Sequence, residues 1–142
     1  MNHPALAEKI EALGFFLKFE GALPREVYQF VVLSVARNCG APFEWADHVE
    51  HARAAGMPEE VIEGIRTQSE AALPEPYATA APVVRAALAW QDVPADVQDA
   101  AIATFGVKAF VELVLVTGFY QMFSAINQGF AVSLRPGTKA AF

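Results

Sequence analysis

Glu44, His48 and His51 are separated by four and three residues, so a helix over this stretch carries all three on one stripe, with Asp47 beside His51 at i, i+4. A carboxylate that hydrogen-bonds one imidazole nitrogen fixes the ring's tautomer and raises its basicity. The other nitrogen is then free to take or give a proton near neutral pH. Glu44 and His48 have the spacing for such an orienter and base pair. The same stripe also fits a solvated polar face, and E-x3-H-x2-H fits the first shell of a zinc or iron ion. A metal would need a fourth ligand, and the only other histidine is His3 near the N-terminus. The reading adopted is an acid–base site with no metal and no cofactor.

The elements that must position this stripe are helices. Apolar residues recur at helical spacing along nearly the whole chain, the pattern breaks at Gly or Pro, and no stretch alternates for long enough to argue a strand. The spacing predicts helices from Pro4 to about Phe19, with Leu6, Ile10, Leu13 and Leu17 on one face, and from Arg25 to the Gly40-Ala41-Pro42 break. It predicts others over Phe43 to Ala55, Pro58 to about Ala72, Thr79 to Gln91, and up to Thr104. A last helix, Val107 to about Asn127, is apolar nearly all round, as expected of a helix enclosed by its neighbours. The expected class is therefore all-α: a compact bundle of six to seven helices in one domain, residues 1–142. The rigid Leu73-Pro74-Glu75-Pro76 connector separates its two halves.

With 142 residues, 54% of them apolar and 18% charged, the chain has more apolar side chains than one small interior needs, and part of that surplus is expected at subunit contacts. A membrane span over Val107 to Val132 is argued against by Lys108, Glu112, Gln121 and Asn127. No basic region followed by an apolar run opens the sequence, so the default expectation is the cytoplasm. The net charge is −6 and the ten Lys and Arg residues are scattered, which argues against a nucleic-acid partner. Cys39 is alone, so no intrachain disulfide or CxxC redox pair can be built. Glu112, within the most apolar helix, needs a partner, because an unpaired buried carboxylate costs several kcal/mol.

The run Val35-Ala36-Arg37-Asn38-Cys39-Gly40-Ala41-Pro42-Phe43-Glu44-Trp45-Ala46-Asp47-His48, continuing through Ala52-Arg53-Ala54-Ala55-Gly56-Met57-Pro58, resembles the carboxymuconolactone decarboxylase family through its Glu-Trp-x-x-His core. Val111-Glu112-Leu113-Val114-Leu115-Val116-Thr117-Gly118-Phe119-Tyr120 resembles the family's late helix. The resemblance implies the helical fold of the alkyl hydroperoxidase D proteins and a homo-oligomer, trimeric or hexameric, with sites near subunit contacts. The hydroperoxidase branch carries Cys-x-x-Cys-x-x-x-His; with its histidine laid on His48, Ala41 and Glu44 take the cysteine positions. A glutamate that serves a proton relay in the family corresponds to Gln29, which cannot shuttle a proton, and Glu26 lies one turn earlier.

The function this implies is a cofactor-independent lyase acting on a small carboxylated lactone or related acid. Loss of carbon dioxide leaves electron density that must be delocalised onto a carbonyl oxygen and then protonated. In the expected assignment His48 donates the proton, Glu44 orients it, and His51 binds the departing carboxylate or steadies the oxyanion. Arg37 is the expected holder of the substrate carboxylate, with Trp45, Phe43 and Tyr120 lining the pocket. Two other classes stay open: a non-catalytic oligomeric binding or scaffold protein, and a peroxidase or disulfide reductase, which a single cysteine disfavours.

Overall fold

The computed structural model describes residues 3–69 and 71–142. Seven α-helices follow in order: α1 (Pro4–Phe15), α2 (Arg25–Asn38), α3 (Pro42–Ala54), α4 (Glu59–Thr67), α5 (Tyr77–Leu88), α6 (Ala95–Phe105) and α7 (Val107–Gly129). Among the described residues there is no strand. α1 runs on into a π-helical turn, Phe16–Glu20. Wider turns of this kind re-aim side chains and are frequent at functional sites.

α2 is the axis of the bundle and packs against α3, α4, α5 and α7. Its residues from Val27 to Ala36 are buried at every position except Ser34. One continuous core joins Leu17, Val27, Val31, Val35, Trp45, Val61, Val83, Val84, Leu113 and Val116. It draws on both sides of the proline-rich connector, whose Leu73 packs against it.

The differences from the sequence reading have local causes. α4 stops at Thr67 rather than near Ala72, because Gln68 turns left-handed (φ 54°) and the Ser69 N–H bonds back to the Gly64 carbonyl at 2.9 Å. That closure, usually left to glycine, is here made without one. α5 begins two residues early, so Pro82 lies inside it, where its missing N–H leaves the Ala78 carbonyl without its usual donor. α7 is enclosed on one face only: Ala109, Leu113 and Val116 are buried, whereas Val107, Val111 and Leu115 are exposed. By length and apolarity it is the one described helix that could cross a membrane, and 44% of its most apolar window is buried in the bundle. On α1, Ile10 packs on the core but Leu6 and Leu13 are about half exposed, beside exposed Phe15, Phe16 and Phe19.

Glu112 has its partners in the backbone. Its carboxylate accepts from the Ala22 N–H at 2.8 and 2.9 Å and from the Leu23 N–H at 2.9 Å, which ties the segment after the π turn to α7. A Cβ on Gly21 would stand 2.7 Å from Glu112 Oε2, so only glycine leaves room for this clamp. Glu112→Ala strands the buried Leu23 donor, whereas water can reach Ala22. The expected loss is about 1–3 kcal/mol of unfolding free energy by urea denaturation. Gly21→Ala should destabilise through the same carboxylate, and the two losses should be less than additive in the double variant.

Candidate functional site

Glu44 and His48 lie one turn apart on α3, both buried on the face turned toward α2 and α7. Gly40 (φ 59°) turns the chain at the end of α2, and Pro42 opens α3 at a position where its missing N–H costs nothing. His48 Nδ1 is 2.9 Å from Gln29 Oε1. An amide oxygen only accepts, so Nδ1 carries the ring proton and Nε2 presents its lone pair to the cavity. Glu44 Oε2 is 4.0 Å from His48 Nε2, beyond a hydrogen bond, and Glu44 Oε1 accepts from Asn127 Nδ2. The orienter of the imidazole is therefore Gln29, not Glu44. Glu26 does not face His48; its charge acts on Tyr77.

The pair opens into a cavity of about 270 Å³ walled by Ile10, Gly14, Phe43, Phe119, Tyr120 and Phe123, with Glu11, Lys18, Asp47 and Asn127 as its other polar groups. The Tyr120 ring stands edge-on to the His48 ring at 5.1 Å, and its hydroxyl is 2.7 Å from that of Tyr28. Burial pushes the Tyr28 phenol up to about 12 and raises that of Tyr120 as well. Neither phenol ionises at neutral pH, and the pair serves as a hydrogen-bonded wall.

Burial, reinforced by the Asp47 charge and opposed by the Asn127 bond, raises Glu44 to about 7. Burial first and the Lys18 charge second lower His48 to about 4. At neutral pH the site thus holds a neutral imidazole beside a carboxyl that is about half protonated, and the carboxyl is the group poised to give or take a proton there.

The structure brings Glu44, His48, Phe43 and Tyr120 together and leaves three expected residues outside. His51 is exposed on the surface, its ring centre 5.9 Å from that of His48, and it does not line the cavity. Trp45 is buried on the other side of α3, edge-on to Phe142 at 5.4 Å. Arg37 points away: its Nε donates to the Arg66 carbonyl at 2.7 Å and its guanidinium lies 4.8 Å over the Phe142 ring. The cation on the cavity wall is Lys18, carried there by the π turn. Nothing in the spacing marks Lys18, since a π turn shifts the helical register without a sequence signature. Asn127 is equally invisible, because it meets Glu44 only across 83 residues. Among the described residues no three His, Cys, Asp or Glu side chains are placed to hold a metal ion. Ala41 is buried at the start of α3. Cys39 lies at the end of α2, outside the cavity, with its carbonyl accepting from Gln128 at 2.8 Å.

Fold and site define an all-helical protein with a carboxyl and imidazole pair in a cavity beneath its first helix. The family model described as the carboxymuconolactone decarboxylase family matches residues 4–93, well over half of the chain, and the protein belongs to that family. The matched region runs from α1 through α5 and holds Gln29, Glu44 and His48; the motif on α7 lies beyond it. Among solved structures, the chain is similar to a protein of unknown function from Agrobacterium tumefaciens, provisionally assigned as the antioxidant defence protein AhpD. The TM-score is 0.78 at 20% identity, over 94% of this chain and 93% of that one. At that identity the likeness shows the fold, which is that of the AhpD-like proteins. No curated protein is significantly similar to the chain in sequence.

A histidine held neutral by burial makes stability depend on pH. The unfolded chain takes up a proton below about 6.5, while folded His48 refuses it down to about 4, so its contribution is present above 6.5 and is lost as pH falls through that window. His48→Gln should therefore show a smaller drop in urea midpoint between pH 7 and pH 4.5 than the parent protein. Equal drops in both would refute the burial of a neutral imidazole.

Proposed function

We propose that this cavity is the acid–base site of a cofactor-independent lyase that decarboxylates a small carboxylated lactone or a related small acid. The observation that carries this reading is the buried, half-protonated Glu44 carboxyl 4.0 Å from the free Nε2 of a neutral His48. Lys18 is the one cation on the cavity wall and would hold the substrate carboxylate at the mouth. The carbon–carbon bond breaks as carbon dioxide leaves, the electron pair passes onto the adjacent carbonyl, and the Glu44 carboxyl donates the proton that forms the new C–H bond. Water then restores the proton to Glu44. His48 Nε2, with its lone pair facing the cavity, accepts a hydrogen bond from a substrate hydroxyl. The expected roles of the pair are thus exchanged: Glu44 supplies the proton and Gln29 holds the imidazole.

A second reading, a non-catalytic binding protein, is favoured by Gln29, an amide where the family's relay carries a carboxylate. Turnover separates the two. Carbon dioxide release from a panel of carboxylated γ-lactones should fall at least 100-fold in Glu44→Gln, and should decline above pH 7 as Glu44 loses its proton. Lys18→Met should raise KM more than it lowers kcat. Absence of release from every member of the panel, or release that Glu44→Gln leaves intact, would overturn the lyase.

We further propose that the chain acts as a homo-oligomer, a trimer or a hexamer. The exposed apolar side chains of α1 and α7, among them Leu13, Phe16, Val107, Val111 and Leu115, support this, because a monomer would leave them in water. Light scattering during size exclusion should give three or six times the 15.3 kDa chain mass, and a monomer would refute it.

A further inference from the structure

A cavity larger than the one at His48 lies elsewhere in the fold. A trough of about 540 Å³ runs between α2, α4 and α5, with Leu73 of the connector in its lining. Its floor is Ser34, the single position at which the buried run of α2 comes to the surface, flanked along the same helix face by Phe30, Arg37 and Asn38. Ala81, Val84, Arg85 and Leu88 form the facing wall on α5, and Gly64 and Ile65 line it from α4, with Gln68 just past that helix's end. The apolar part consists of Phe30, Ile65, Leu73, Val84 and Leu88.

The charged groups in this lining are two arginines, in a chain of net charge −6. Arg37 is held in place through Nε and by the Phe142 ring, and its terminal nitrogens make no hydrogen bond among the described residues. Arg85 is exposed and likewise unpaired among them. The Ser34 hydroxyl also has no partner there, although it is set into the most enclosed helix of the fold. A Cβ on Gly64 would meet no atom within 4 Å, so the glycine leaves open space over the trough.

We propose that this trough is a second ligand site, separate from the His48 cavity, for a small organic carboxylate with an apolar body. The body lies along the half-buried Ile65, Leu73 and Leu88, over a base of core Phe30 and Val84, and the carboxylate rests at the rim that Arg37 and Arg85 supply. Guanidinium nitrogens fit a carboxylate as paired donors, and an apolar wall with few convergent polar groups is the usual make-up of a small-molecule site. Arg37 is thus a carboxylate holder, at a different site from the one its place in the sequence indicated.

Calorimetric titration of the full-length protein with octanoate, octanamide and inorganic phosphate tests this. Octanoate should bind saturably with a Kd of about 1 mM or tighter, and octanamide and phosphate each at least 10-fold more weakly. Gly64→Phe fills the trough and should abolish binding, and Arg85→Gln, at an exposed position, should weaken it about 10-fold. Lys18→Met, which alters only the His48 cavity, should leave the affinity within twofold. Absence of saturable octanoate binding would overturn the proposal. So would octanamide or phosphate binding as tightly as octanoate, affinity untouched by both trough variants, or loss of binding in Lys18→Met. None of these readings depends on turnover, so the trough and the lyase stand or fall separately.

Discussion

A helix enclosed over most of its length has little water to satisfy its polar groups, and α2 is such a helix. Gln29 is the buried polar side chain in its first half, and an amide left without a partner there would cost a large share of what one hydrogen bond is worth in a dry interior. The His48 imidazole supplies that partner. The bond couples two requirements: α2 keeps its buried face satisfied, and α3 is fixed in rotation so that Glu44 and Nε2 look into the cavity. The chemistry of the site thus hangs on a bond that belongs equally to the core.

The electrostatics follow from the same enclosure. Burying an ion pair is expensive unless its geometry is excellent, and at 4.0 Å Glu44 and His48 do not make a close pair. The protein resolves this by weakening both charges: burial drives the carboxyl up and the imidazole down, and Asp47 and Lys18 push each further in the same direction. A neutral imidazole and a carboxyl that is only partly ionised are cheaper to enclose than two full ions. The carboxyl also remains able to pass a proton. Lys18 reaches the pair from the π turn that the Glu112 clamp ties to α7, so an interaction outside the cavity helps to set the field inside it.

The apolar surplus of the chain is divided between inside and outside. The core takes the valines of α2 and α5 and one face of α7, while α1 and the other face of α7 keep large apolar groups in contact with solvent. An isolated domain of this size rarely leaves so many uncovered. The tail after α7 returns over α3, with Arg135 paired to Asp47 at 2.6 Å and Phe142 lodged between Trp45 and Arg37. Trp45 and Arg37, adjacent to the site in sequence, thus meet the tail and not the cavity.

The sequence by itself determined the helical class, the positions of most helix ends and the pairing of Glu44 with His48, because these depend on local spacing and on Gly and Pro. It also marked Gln29 as the residue in the relay position, and Glu112 as a carboxylate in need of a partner. The sequence left undetermined which groups meet across the bundle. Lys18, Asn127 and Tyr28 reach the site from three other helical segments, and a π turn carries no signature; of the residues from outside α3 only Tyr120 was expected there. The early stop of α4 rests on a left-handed glutamine that no residue preference announces. The rotation of each helix about its axis was settled by the collective burial of α2, and it decided that His51 faces water, that Arg37 borders a different cavity, and that His48 is neutral beside a Glu44 carboxyl that keeps its proton to about pH 7. A pKa depends on distances and on exclusion of water, and both exist only once the helices are packed.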